Sequence, residues 1–177
     1  MSSLALELGI SERTLRRAAL RGTLRAEGLN PLRLGLEEES YLLRRWPLLE
    51  GVLATLRTQH NVRLAVLFGS AARGVDGEDS DIDLLVRLRD DTFAPRARAV
   101  TALEQALGRR VHVVTVGEAP ATLLADALRD GRVVVDRDGD WADLRKRALE
   151  IQRAAGAAAE REEREAWAVL ERLEDLL

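Results

Sequence analysis

The chain has 177 residues and a mass of 19.6 kDa, the size of one ordinary domain or of a small domain with an appendage. Hydrophobic residues make up 46% and charged residues 32%, which excludes a disordered chain. The absence of cysteine excludes disulfides, thiol nucleophiles and cysteine-type zinc sites. No apolar run reaches the ~20 residues of a membrane span, and the first residues lack the basic-then-apolar pattern of a secretion signal. A cytoplasmic protein with no membrane partner is therefore expected. Aromatics are only 3%, so the core is built from Leu, Val and Ala. All but Lys146 of the 27 basic residues are arginine, a bias that makes arginine abundance alone poor evidence for nucleic acid.

In chain order, residues 1–46 read as short helices broken by glycines and one proline. Leu4, Leu6, Leu8 and Ile10 frame a first helix that Gly9 ends, and Ser11 suits the N-cap of the next. Gly28, Asn30-Pro31 and Gly35 mark turns between short apolar pieces. A helix over 37–45 is expected to stop at Trp46-Pro47. From Leu48 the periods alternate: helix 48–60, buried strand 62–68, an acidic Gly-rich loop, and strand 82–88. Helix 92–107, strand 110–116, helix 118–129 and a short strand 133–135 follow. The remainder from Trp141 reads as helical, with an interruption at Gly156. Helices alternating with strands predict an α/β (α+β) sheet with flanking helices. The chain divides into residues 1–46, a core over 47–138 and a helical segment over 139–177.

The chemistry lies between Phe68 and Leu85. A strand ends at Phe68, and Gly69 lets the backbone turn sharply and approach a ligand. Ser70 then begins a short helix whose free N–H groups suit a phosphate. Asp81 and Asp83 stand at i and i+2, so both carboxylates project from one face of the next strand. Two adjacent carboxylates repel unless a cation or proton lies between them, and hard oxygen ligands favour Mg²⁺ or Mn²⁺. The plain alternative is a polar loop with solvated acids.

Gly69-Ser70, a ten-residue spacer and Asp81-x-Asp83 resemble the signature of minimal nucleotidyltransferases of the DNA polymerase beta superfamily. Arg73-Gly74 and Ser80 fit the same pattern, and the resemblance covers roughly residues 48–136. It implies a polymerase-beta-like sheet, with Gly69 and Ser70 holding the phosphates of a nucleoside triphosphate and Arg73 and Ser80 beside them. Asp81 and Asp83 would hold Mg²⁺, and a nucleotide would pass to an acceptor hydroxyl on protein, RNA or a small molecule. The family carries a third acid on the next strand, where this chain has His112. Three readings stay open: His112 is a substitute base, Glu104 or Asp136 reaches the site, or the domain binds nucleotide without turnover.

Gly9-Ile10-Ser11 followed by Arg13-Thr14-Leu15-Arg16-Arg17 is similar to a helix-turn-helix of the MerR or excisionase type. That resemblance implies a small winged unit touching DNA through Arg13, Arg16, Arg17 and Arg21, with residues 24–36 as the wing. Residues 10–25 hold five arginines against one glutamate; solvated arginines on a helical cap are the alternative. In the last segment, Trp167, Leu170, Leu173 and Leu177 form a helical stripe. It suits packing on the protein's own core, a second copy or another protein. Minimal nucleotidyltransferases often act as antitoxins to a helical ribonuclease, so a toxin partner is also implied by resemblance. A non-catalytic, DNA-binding regulator or antitoxin is the alternative to an enzyme.

Overall fold

A computed structural model describes the chain from Ser3 to Glu174, with side chains through residue 168. Leu177 therefore lies outside the described residues, as do the side chains of Leu170 and Leu173. Two short helices open the chain, α1 (Ser3–Glu7) and α2 (Glu12–Arg21). Ser11 caps α2 by accepting from Thr14 N at 3.1 Å. A two-stranded hairpin follows, β1 (Ala26–Leu29) and β2 (Leu32–Leu34), and then the long helix α3 (Leu36–Thr58).

The expected stop at Trp46-Pro47 does not occur, because Pro47 lies inside α3. A proline within a helix removes one hydrogen bond and costs roughly 3 kcal/mol. Tyr41, Leu42, Trp46, Leu49, Val52, Leu53 and Leu56 are all buried from this one helix. At ~1.5–3 kcal/mol per large side chain, their burial outweighs that loss. The division at 46/47 thus falls within a continuous helix.

The sheet is formed by β3 (Val62–Phe68), β4 (Ile82–Leu88), β5 (Val111–Thr115) and β6 (Arg132–Asp136), in the order β5-β4-β3-β6. The central β3 pairs antiparallel with β4 and β6, while β4 pairs parallel with β5. Between them run α4 (Gly69–Arg73), α5 (Phe93–Leu107) and α6 (Ala121–Asp130), and after β6 come α7 (Asp140–Lys146) and α8 (Ala148–Glu174). The last helical stretch breaks at Arg147 rather than Gly156, which lies within α8.

Alternation along β3 sorts its side chains into two cores. Ala65 and Leu67 join Ile82, Leu84, Leu49, Val52 and Leu103 on the face covered by α3 and α5. Leu64, Val66 and Phe68 join Leu85, Val133, Ala127, Leu144 and Ile151 on the face covered by α6, α7 and α8. Within α8, residues 159–168 pack on neither. Residues 159–168 are exposed, and Trp167 is 62% exposed, against the expectation that its stripe folds onto the core. Among the described residues no helix is long and apolar enough to cross a membrane.

The N-terminal segment is fastened to the sheet by polar groups. Val133 N donates to Gly22 O at 3.1 Å, and the Thr23 hydroxyl donates to Val133 O. Arg132 is 2% exposed. Its guanidinium grips both Glu38 oxygens, at 2.6 and 2.9 Å, and donates to Thr23 O. Such a pair is stable only because its geometry is bidentate and its remaining donors are satisfied.

Candidate nucleotide and metal site

Gly69 stands where β3 becomes α4, at φ +71°, a conformation that favours glycine. A Cβ there would lie 2.6 Å from Asp83 Oδ2. The residue is thus required twice, by its backbone and by the carboxylate behind it. Ser70 follows, half-buried, and its hydroxyl has no hydrogen bond among the described residues. It is available to a ligand.

Asp83 lies on β4 opposite Phe68 of β3 and His112 of β5. The register therefore puts the Gly-Ser turn, the acid and the imidazole in one row across the sheet. His112 Nδ1 is 3.3 Å from Asp83 Oδ1. The residue two places earlier on each strand repeats the pattern, with Arg110 Nε 3.0 Å from Asp81 Oδ1. This contact is an ion pair without hydrogen-bond alignment, so the buried Oδ1 of Asp81 has no donor. Two acids at the start of β4, Asp81 just before it and Asp83 within it, thus face two bases at the start of β5.

That orphaned carboxylate oxygen and its neighbour two residues on fit a hard divalent ion such as Mg²⁺ or Mn²⁺. Among the described residues no group of three acid, His or Cys side chains could hold a metal. The other acids considered from sequence are engaged elsewhere. Glu104 Oε1 accepts from Val111 N at 3.1 Å. Asp136 accepts from Gly139 N at 3.0 Å and pairs with Leu64, at the end of β3 opposite to Phe68. Neither is brought to the acid pair.

The loop between Gly74 and Asp81 is clamped by two arginines that sequence reasoning did not single out. Asp76, 7% exposed, meets Arg109 Nη1 at 2.8 Å and Arg45 Nη2 at 2.9 Å. Arg109 also donates to Ser80 O and Gly77 O, both at 3.1 Å, and Arg45 to Asp76 O at 2.8 Å. Ser80 Oγ accepts from Gly77 N at 3.0 Å, closing a turn. Its hydroxyl oxygen is already committed to the loop. Arg73 is the last residue of α4, 3.9 Å from Asp130, and lines a cleft with Arg25, Tyr41 and Arg132.

Behind the turn, Tyr41 Oη donates to Ala71 O at 3.2 Å and Arg132 Nε to Ala72 O at 2.8 Å. Both carbonyls belong to α4, so this short helix is held from its C-terminal side. The Arg132 guanidinium stacks 3.5 Å above the Tyr41 ring. Burial pushes the Tyr41 hydroxyl up to about 12, with Arg132 opposing and Glu38 reinforcing the shift.

On α2, Arg13, Arg16, Arg17 and Arg21 are exposed. None has an ion pair among the described residues.

Residues 50–140, just over half of the chain, match the family described as Polymerase beta, Nucleotidyltransferase. A protein of Methanocaldococcus jannaschii named "Putative protein adenylyltransferase MJ1379" is 35% identical over 63 residues, which are 34% of this chain and 63% of that protein. The chain thus spans under two thirds of that relative. The fold is shared with a chain of a toxin–antitoxin crystallised with AMP-PNP, at TM-score 0.50 and 21% identity over 71% of this chain and 98% of that one. A mutant of the MntA–HpeT toxin–antitoxin matches at TM-score 0.51 and 20% identity, with the same coverage of both chains. With the Gly-Ser turn beside the acid pair on a mixed sheet, the chain belongs to the polymerase beta nucleotidyltransferase family.

Proposed function

We propose that the chain transfers a nucleoside monophosphate from a nucleoside triphosphate to an acceptor hydroxyl, with Mg²⁺ or Mn²⁺. The carrying observation is the row of Gly69, Asp83 and His112 across β3, β4 and β5. Gly69 and Ser70 receive the phosphates at the head of α4, and Asp81 and Asp83 hold the metal. Arg73 and Ser80 flank the phosphates, Ser80 through the loop that it closes. A bound ion would neutralise charge on the phosphates and on the leaving pyrophosphate.

The acceptor oxygen attacks the α-phosphorus while the bond from that phosphorus to pyrophosphate breaks. The acceptor's proton goes to His112. Asp83 engages Nδ1, which leaves Nε2 as the lone pair that takes the proton. The name of the archaeal relative makes a protein hydroxyl the first acceptor to test.

A second reading is a regulator or antitoxin whose nucleotide site turns over slowly or not at all. It is favoured by an imidazole at the place of a third acid, and by the unpaired arginines of α2. In this reading Arg13, Arg16, Arg17 and Arg21 contact DNA phosphates from a winged helix-turn-helix, and the exposed residues 159–168 of α8 meet a toxin or a second copy.

Calorimetric titration with ATP, CTP, GTP and UTP in Mg²⁺ or Mn²⁺ separates the two. Metal-dependent binding that disappears in Asp81→Asn/Asp83→Asn is expected, and His112→Asp should then raise turnover. If no triphosphate binds, the enzyme reading fails.

A further inference from the structure

At the opposite end of the sheet from the acid pair, α2 and α3 enclose a cleft of about 390 Å³. Its lining joins three kinds of group. Trp46 and Leu53 are apolar and buried. Arg17, Arg21 and Arg57 stand around the same space, and Glu50 is its one acid.

The guanidiniums around this cleft lack partners that others in the chain have. Around the sheet, Arg63, Arg87, Arg96 and Arg109 each hold a carboxylate within 3.0 Å. Among the described residues the guanidiniums of Arg17, Arg21 and Arg57 hold none and donate no hydrogen bond. Three like charges gathered on one concavity repel each other, and the arrangement gains most from a multivalent anion. Guanidinium groups suit phosphate in particular, because their paired N–H donors match its oxygens. Trp46 adds an indole N–H without an acceptor.

We propose that this cleft binds a nucleoside monophosphate. Its volume lies in the range of small-molecule sites. The phosphate lies among Arg17, Arg21 and Arg57, the base lies against the apolar side formed by Trp46 and Leu53, and Glu50 accepts from a ribose hydroxyl or an exocyclic amine. The site is separate from the Gly69–Asp83 row and does not depend on nucleotidyl transfer. Because Arg17 and Arg21 are also the groups offered to DNA, an occupied cleft withdraws them from that contact.

The test uses the full chain carrying Asp81→Asn/Asp83→Asn, in EDTA, so that the acid pair is silent. Calorimetric titration with AMP, GMP, CMP and UMP should give one saturable site for at least one of them. Adding Arg21→Gln/Arg57→Gln should weaken that affinity at least tenfold, and the matching nucleoside without phosphate should bind at least tenfold more weakly. Ala54→Trp fills the cleft from an exposed position of α3 and leaves every charge in place, so it should also abolish binding. Thermal melting checks that each variant folds. If Ala54→Trp does not fold, Glu50→Gln is the substitute and should weaken binding severalfold. The proposal falls if no mononucleotide binds, if binding survives both the arginine and the cleft variants, or if a duplex binds through these arginines while mononucleotides do not.

Discussion

Asp83 Oδ2 lies where a side chain on Gly69 would begin, with 2.6 Å between the oxygen and an ideal Cβ. The turn and the acid therefore constrain each other directly. Gly69→Ala adds a methyl at φ +71°, strain worth roughly 1–2 kcal/mol, and displaces the carboxylate. Metal-dependent triphosphate binding should fall at least tenfold. Thermal melting should shift by only a few degrees, since the core of β3 is untouched.

Arg110 competes with a metal ion for Asp81. Its guanidinium sits 3.0 Å from Oδ1 and is 80% exposed, so the contact is a weak one, within the ~0.2–1 kcal/mol of exposed pairs. Arg110→Gln should tighten Mn²⁺ binding about two- to fivefold by calorimetry. The gain should shrink at high salt, which already screens the exposed pair.

Removing Glu38 leaves the Arg132 charge buried without a counter-ion. Glu38→Ala should lower unfolding free energy by roughly 3–5 kcal/mol in urea titration. The double variant Glu38→Leu/Arg132→Met should lose much less, because no charge is then stranded. Both variants release α4 from Arg132 or from its support, so triphosphate binding should weaken in each.

Tyr41 is the one tyrosine of the chain, so its ionisation can be followed alone by tyrosinate absorbance. Folded protein should titrate at about 12, above the ordinary 10.0, because burial disfavours the phenolate. An acid whose folded pKa is raised releases its proton first in the unfolded chain. The stability it contributes is therefore complete below pH 10 and declines between pH 10 and about 12, by about 1.4 kcal/mol per pH unit. In Tyr41→Phe that component of the alkaline decline should vanish.

Much of the site was legible because its spacing is local. Strand residues 62–68 and 82–88 were read at the bounds that β3 and β4 have, and both are runs of buried aliphatics closed by glycine or polar residues. The family resemblance put His112 where a third acid is carried, and the strand register sets it opposite Asp83. What escaped depends on partners distant in the chain. Arg132 looks like the polar head of a valine strand, and only the fold brings Glu38 from 94 residues away to meet it. Asp76 and its two arginines come from three separate segments. Pro47 misled because a local rule for ending helices was outweighed by the burial of a whole helix face. The pairing of Arg110 with Asp81 follows once the β4–β5 register is known, and was within reach of the same strand reading.

One guanidinium ties the first third of the chain to the helix that begins at the Gly-Ser turn. Arg132 binds Glu38 of α3, the carbonyl of Thr23 and the carbonyl of Ala72 in α4. A fragment beginning at residue 47 would contain the whole family match and both acids. It would also cut α3 in half and remove Glu38 and Thr23, leaving that buried cation without a counter-ion and with only the Ala72 carbonyl of these three partners. Excision at that point should give a product that unfolds at lower urea than the full chain, because a buried charge has lost its counter-ion.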